Sequence, residues 1–368
     1  MALTLSNFRT VGTPAADIIH IDDNGLIVGD PVEGADRIDC GGAFLSPGWC
    51  DLHVHVWHGG TDISVRPSRA GRESGVTAMA DAGSAGEANF HGLREYVIDP
   101  SAETIRAFLN IGSIGLVACN RVSELGGPQS IDIDRVLATV EANRDVICGI
   151  KVRASGVITG AWGLTPAKIA KRVAEIARLP LMAHVGEPAP LVDEVLDLLG
   201  PGDIVTHCFN GKQGGAITDT DALFALARRV SENGVVMDIG HGTASFSFET
   251  ARRAIAEGFM PDTISTDLHL QNVDGPVHDL ALTASKLMAL GMGFESCIAA
   301  ITARPREVLG LQTAVTPGSR ADFTVFGLED TAETVTDSHG RTMRLEKVLV
   351  PRQTIIGASV YQATRRRP

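Results

Sequence analysis

The chain has 368 residues, 44% of them hydrophobic and 21% charged, with a formal net charge of −12 and a sequence pI near 5.4. That length buries a large core and fits one barrel plus a smaller lobe, while the acidic balance argues against nucleic acid as partner, since phosphate binding rests on clustered Lys and Arg. No window offers about 18 uninterrupted apolar residues and no basic region precedes an apolar stretch at the N-terminus, so a cytoplasmic protein without membrane contact is expected.

The first 46 residues hold short strand candidates, Asp17-Ile18-Ile19-His20-Ile21 and Gly25-Leu26-Ile27-Val28, broken by Asp, Asn and Gly. Eight apolar runs follow, at 44–56, 76–82, 108–119, 147–154, 180–186, 203–209, 235–240 and 262–267, with polar or helix-periodic stretches between most of them. One such stretch starts at Thr165-Pro166, read as a cap and first helical residue, and another at Thr220-Asp221. Near-continuous apolar strands separated by helices imply a parallel sheet covered by helices, and eight units over about 270 residues predict an α/β fold closed as a (β/α)8 TIM barrel. Near the C-terminus, Asp322-Phe323-Thr324-Val325-Phe326 and Lys347-Val348-Leu349-Val350 are again short strand candidates, followed by the solvated tail Arg365-Arg366-Arg367. The expected organisation is a small β-sandwich domain from residues 1–46 and 316–368, flanking a barrel from 47 to 315. The six cysteines are scattered without Cys-x-x-Cys spacing, which predicts reduced thiols and no disulfide.

His53 and His55 end the first barrel strand, and in a strand both imidazoles point to one side with Cα atoms roughly 6.5 to 7 Å apart, close enough to grip one metal ion. Taken alone, such a pair is equally a surface or core pair. Lys151 lies in the fourth strand, His184 and His207 end the fifth and sixth, and Asp267 ends the eighth. Each has its own bland reading: a hydrogen-bonded structural histidine, a lysine stretched along apolar surface, an aspartate capping a turn. Active sites of such barrels sit at the C-terminal strand ends, so six potential ligands converge on one rim, and together they predict a metal site.

The run Pro47-Gly48, Asp51-x-His53-x-His55, the strand-four lysine, the two single histidines and Asp267 resemble the metal set of the amidohydrolase superfamily, over nearly the whole chain. Gly149-Ile150-Lys151-Val152-Arg153, Thr206-His207-Cys208-Phe209-Asn210-Gly211 and Asp238-Ile239-Gly240-His241-Gly242 are closest to its dihydroorotase-like amidohydrolase/deacetylase branch. The resemblance implies two divalent metal ions, zinc first with manganese, iron or cobalt as alternatives. His53, His55 and Asp267 would hold one ion and His184 and His207 the other. Lys151 would carry a carbon dioxide-derived carbamate bridging both, two anionic oxygens where an ammonium offers no ligand. A hydroxide shared by the metals would attack, with Asp267 as general base and then acid.

Arg153 shares a strand face with Lys151 and either clamps a substrate carboxylate or forms an internal ion pair. His241 either hydrogen-bonds the substrate or its oxyanion, or supports the site from behind. His58, His269 and His278 are read as loop residues around the site. The expected activity is hydrolysis of an amide, or an ester, in a small anionic molecule, with N-acyl amino acid deacetylation leading. A cyclic amidase of the dihydroorotase or hydantoinase kind is the alternative within this chemistry, and a non-catalytic barrel scaffold the alternative outside it. A homo-oligomer is compatible with the sequence.

Overall fold

The computed structural model describes residues 1–119 and 121–368. The N-terminal segment forms strands β1 (Leu3–Thr10), β2 (Ile18–Ile21), β3 (Ile27–Val28) and β4 (Asp36–Pro47). The barrel strands are β5 (Trp49–Val54), β6 (Val76–Ala82), β7 (Thr104–Asn110), β8 (Ile147–Ala154), β9 (Leu181–Val185), β10 (Ile204–Thr206) and β11 (Val236–Asp238). The C-terminal segment adds β12 (Asp322–Asp330), β13 (Thr334–Thr336), β14 (Thr342–Arg344), β15 (Lys347–Ile356) and β16 (Ser359–Gln362). β5 to β11 pair in chain order as one parallel sheet of seven strands, a nearly closed barrel.

The eighth run is not a regular strand. Residues 263–268 close the barrel through isolated parallel bridges, Asp238 to Thr263 on one side and Val54 to Leu268 on the other. Its polar residues explain the interruption: Thr263, Ser265 and Thr266 turn hydroxyls onto buried carboxylates. The apolar run 44–56 is two strands in two sheets, β4 and β5, parted at Gly48. The third run begins earlier than expected, at Thr104, and ends at Asn110, where Gly112 and Gly115 break it into turns.

The terminal strands pair with each other as expected, Phe323 to Phe326 of β12 running antiparallel to Phe44 to Pro47 of β4. They form one seven-stranded sheet in the order β16-β15-β12-β4-β1-β2-β3 with a separate β13–β14 hairpin, where a sandwich was expected. Leu5, Ile21, Leu45, Phe323 and Ile355 are fully buried in this sheet's own core.

The helix Thr165–Ala177 starts with Thr165 as its first residue and no side-chain cap, one position off the sequence reading. Thr220 does cap Asp221–Glu232, its side chain accepting from Leu223 N. All six cysteines are free thiols. Among the described residues no helix is long and apolar enough to cross a membrane.

Gly48 is the hinge between the sheets. Its N–H donates to Asp322 O at 2.8 Å, and its carbonyl accepts from Arg306 Nε at 3.2 Å. A Cβ there would collide with the buried Thr77 side chain. Gly48→Ala is therefore expected to destabilise the fold by about 1–3 kcal/mol, as overpacking does. Urea unfolding with an unchanged midpoint would refute this.

Candidate metal centre

Strand β5 is buried along its whole length, and Asp51 and His53 project to one side of it, with His55 just beyond its end. Asp51 accepts from Thr266 N at 3.0 Å and Thr266 Oγ1 at 2.6 Å, which pins the closing segment against β5. Asp267 N then donates to His53 O at 2.6 Å. The carboxylate that follows lies between the two imidazoles, Asp267 Oδ1 being 3.4 Å from His53 Nε2 and 3.1 Å from His55 Nε2. Asp267 and His207 both adopt left-handed backbone, φ 51° and 68°, a conformation that costs a non-glycine residue about 1–3 kcal/mol and recurs at functional sites.

The far nitrogens of the histidines are committed to the protein. Thr206 Oγ1 donates its one proton to Asp238 Oδ2 at 2.7 Å. The 2.8 Å contact between His53 Nδ1 and Thr206 Oγ1 must therefore be donated by the ring, leaving a lone pair on His53 Nε2. His207 Nδ1 likewise donates to Gly240 O at 2.5 Å, and its Nε2 faces His184 Nδ1 at 2.9 Å. His55 Nδ1 pairs with Ser84 Oγ at 2.9 Å. Burial is the main cause that holds His53 and His184 well below the ordinary imidazole range and His207 down at about 3. Burial pushes Asp267 the other way, but the surrounding His53, His55 and His269 outweigh it and hold the carboxyl well below its usual range. The result is neutral imidazoles around one carboxylate, which is what a divalent cation takes.

Lys151, on β8, is fully buried, with Nζ 3.4 Å from His53 Nε2 and 3.3 Å from Met182 Sδ, an imidazole nitrogen and a thioether. Burial pulls its amine down to about 7, against the attraction of Asp267 and Asp238. Gly83 makes room for it: a Cβ there would stand 2.7 Å from Lys151 Cγ. One ligand atom each from His53, His207 and Asp267 lies within 4.8 Å of the others. An amine without an ion-pair partner among the described residues, beside inward-facing ring nitrogens, fits a metal centre better than a satisfied polar core.

A cavity of about 140 Å³ opens onto this cluster, lined by His53, His55, Lys151, His184, Asp267 and Arg153 among others. His207 lies fully buried beneath them. Arg153 makes the internal ion pair, gripping Glu124 with Nε at 2.6 Å and Nη2 at 2.7 Å, and its Nη1 is 3.6 Å from Cys119 Sγ. His241 is not brought to the cavity. Its Nε2 takes a proton from Lys286 Nζ at 2.9 Å and its Nδ1 lies 3.0 Å from Gly242 O, so a supporting place is what the fold gives it. His269 lines the cavity and contacts Thr243 Oγ1 at 3.3 Å, whereas His58 and His278 do not line it.

Sequence reasoning missed Lys212, in the Gly-rich loop after β10, and Glu187, after β9. They pair at 2.8 Å on the cavity wall, with Ser155 Oγ donating to Glu187 Oε2 at 2.5 Å. It also passed over Thr206, Ser84 and Asp238 as orienters of the histidines. Hydroxyls on strand faces carry no spacing signal of their own.

The seven-stranded barrel, its terminal sheet and this cluster at the strand ends define the class of protein as the amidohydrolase superfamily. A family model described as a deacetylase-like composite domain matches residues 315–362. A deacetylase of Agrobacterium fabrum is 53% identical over 99% of this chain and 92% of its own length. A deacetylase of Brucella anthropi is 57% identical over 90% of this chain and 83% of its own. A crystal structure described as a dihydroorotase superposes with a TM-score of 0.96 at 51% identity, covering 100% of this chain and 99% of the other. One described as an adenine deaminase gives 0.90 at 33% identity, covering 98% and 99%. The chain belongs to the deacetylase family of this superfamily, and it is a hydrolase acting on carbon–nitrogen bonds.

Two outcomes are expected. Thr206→Val leaves His53 Nδ1 without its acceptor and should weaken metal binding about 10–100-fold, as loss of such orienting partners does; unchanged affinity in chelator competition would refute the orienting role. In chelated protein the second concerns Lys151 and Lys286, both drawn by burial from 10.5 to about 7. Between those values the unfolded chain holds protons the folded chain has released, so raising the pH stabilises the fold. Unfolding free energy should rise from pH 7 to about 8.5 by up to roughly 1.4 kcal/mol per unit for each lysine. A flat or falling profile in that window would contradict it.

Proposed function

We propose that the chain is a binuclear metal-dependent deacylase of small carboxylate-bearing molecules, with N-acetyl amino acids as the leading substrates and O-acyl hydroxy acids within reach of the same chemistry. The observation that carries this reading is Lys151, a buried amine without an ion-pair partner among the described residues, lying between His53 and the wall of the cavity. Carboxylated by carbon dioxide, it would supply anionic oxygens to two cations, which His53, His55 and Asp267 on one side and His184 and His207 on the other would hold. Two divalent ions, zinc first, supply a lowered water pKa and a polarised substrate carbonyl when bound.

The chain's own residues do the rest. Asp267 Oδ1 is fixed against the two imidazoles, while Oδ2 makes no hydrogen bond among the described residues. That oxygen takes the proton of the attacking water and returns it to the leaving nitrogen or oxygen as the carbon–heteroatom bond breaks. Ile63, Leu116, Val157 and Ile158 give the cavity an apolar side for the body of the substrate. Lys212, rather than Arg153, meets the substrate carboxylate. A second reading has a specific observation in its favour: the dihydroorotase-described structure is similar over the full chain, and a cyclic amide would use the same donors.

A panel of N-acyl L- and D-amino acids, acyl hydroxy acids and cyclic imides with metal-replete enzyme tests the reading, and turnover confined to the imides would replace it with the second. Asp267→Asn should cost at least about 10²-fold in kcat while keeping much of the metal; near-normal turnover would sink the proton role. Lys212→Met should raise KM for carboxylate substrates about tenfold and spare neutral analogues. An equal effect on both classes would remove Lys212 from recognition.

A further inference from the structure

Residues 241–247 form a stretch beside Asp267 whose middle is the cavity wall. Gly242 has φ +59°, and a Cβ on it would come within 2.6 Å of Asp267 Oδ2, while Thr243, Ala244 and Ser245 line the cavity. The barrel holds the two ends of this stretch, through His241 N to Ser265 O at 3.1 Å and Gly242 N to Thr266 O at 3.0 Å at the start, and Ser247 N to Phe209 O at 2.9 Å at the finish.

Between those ends a strip of the β13–β14 hairpin, Thr336-Asp337-Ser338, supplies the contacts. Ser338 Oγ donates to Gly242 O at 2.9 Å and Ser338 N to Phe246 O at 3.0 Å. Asp337 Oδ2 accepts from Phe248 N at 2.9 Å, at the start of the helix Phe248–Ala256. Its Oδ1 accepts from His339 N at 2.8 Å and Arg341 N at 2.9 Å, which stiffens the strip itself. Behind it, fully buried Lys286 places three donor contacts: Pro276 O at 2.7 Å, Thr336 O at 2.9 Å and His241 Nε2 at 2.9 Å. An ammonium has three protons, so every one is used.

We infer that Lys286, Asp337 and Ser338 are positioning residues, a strut by which the C-terminal segment sets the 241–247 wall against Asp267. The inference rests on the reading of Asp267 as the working carboxylate. Two observations set the strut apart from ordinary packing. Most of its bonds to the wall and to the loop at Pro276 end on backbone atoms, so they fix the path of the chain rather than the identity of a side chain. The hairpin extends the β12–β15 pair, through Thr331 N to Glu346 O and Leu345 N to Glu333 O, each at 2.9 Å, and pairs with no other strand, which leaves the wall as a principal polar partner of its tip. A buried lysine among neutral acceptors is a costly means of packing, and an apolar residue of similar volume would serve stability as well.

Ser338→Ala and Lys286→Met test this, with Ser338→Thr as the variant that keeps the hydroxyl. Three quantities are read: hydrogen exchange of peptides covering 241–248, bound metal, and kcat and KM on the best substrate of the panel. In Ser338→Ala and Lys286→Met the expected result is faster exchange in that window, unchanged metal content and a kcat lower by about ten- to a hundredfold, the scale of a misplacement near 1 Å. Ser338→Thr should restore both exchange and kcat. Wild-type exchange and kcat in Ser338→Ala would overturn the strut, as would a lowered Tm with wild-type kcat; if Lys286→Met fails to fold, Ser338→Ala alone decides. Faster exchange in the variants of a chain that deacylates nothing would keep the strut and sink the proposed reaction.

Discussion

Asp238 is the constraint on which the rest of the site depends. It ends β11 fully buried, accepting from Thr206 Oγ1, Thr263 Oγ1 and Ser265 Oγ, each at 2.7 Å. Burial pushes its carboxyl above the ordinary range, and the three hydroxyls pull it back. Two of those donors belong to the segment that closes the barrel, where a full ladder is absent. The third passes the constraint on: with its proton spent on Asp238, Thr206 can only accept from His53 Nδ1, and this fixes which nitrogen of His53 faces inward. Closing the barrel and setting the tautomer of His53 are one hydrogen-bond network. Asp51 does the same work on the other seam, where Thr266 holds the backbone that delivers Asp267.

A site assembled this way is preorganised around a single carboxylate. The imidazoles of His53, His184 and His207 are held neutral by burial, the carboxyl of Asp267 lies well below its usual range, and the amine of Lys151 is drawn towards neutrality. Binding a divalent ion then requires little proton release from the histidines, which is the usual obstacle to metal binding by imidazole. The strain of the left-handed His207 and Asp267 is carried by the stitched seams around them.

Much of this was legible in the sequence, for identifiable reasons. Strand alternation put His53 and His55 on one side, and the apolar runs counted out the barrel because parallel strands buried on both faces leave unbroken hydrophobic stretches. Lys151, His184, His207 and Asp267 followed from their places at strand ends. What escaped depends on partners distant in sequence or on backbone sign. Nothing near Arg153 announces Glu124, which arrives from the loop after β7. His241 follows β11 on the right rim, yet its ring is met by Lys286 from the helix Leu280–Ala289 and stays buried away from the cavity. The closing run 262–267 carries a strand's composition, but its hydroxyls serve carboxylates and break the ladder. The terminal sheet was read as a sandwich because short alternating strands fit either arrangement.

The two cations beside the centre differ in what an arriving carboxylate can take from them. Arg153 and Glu124 are almost wholly buried, their side chains 9% and 1% exposed, and joined by two parallel bonds. Removing one partner from such a pair costs about 3–5 kcal/mol, more than a small ligand's carboxylate returns. Lys212 is paired to Glu187 through one contact at 2.8 Å, with side chains 16% and 38% exposed, so this pair is less buried than Arg153–Glu124 and costs less to open. Glu187 keeps the Ser155 hydroxyl if Lys212 swings away, so its charge is not stranded. An anionic substrate of the kind proposed would therefore compete with Glu187 for Lys212 at lower cost than with Glu124 for Arg153, which stays locked in its own pair.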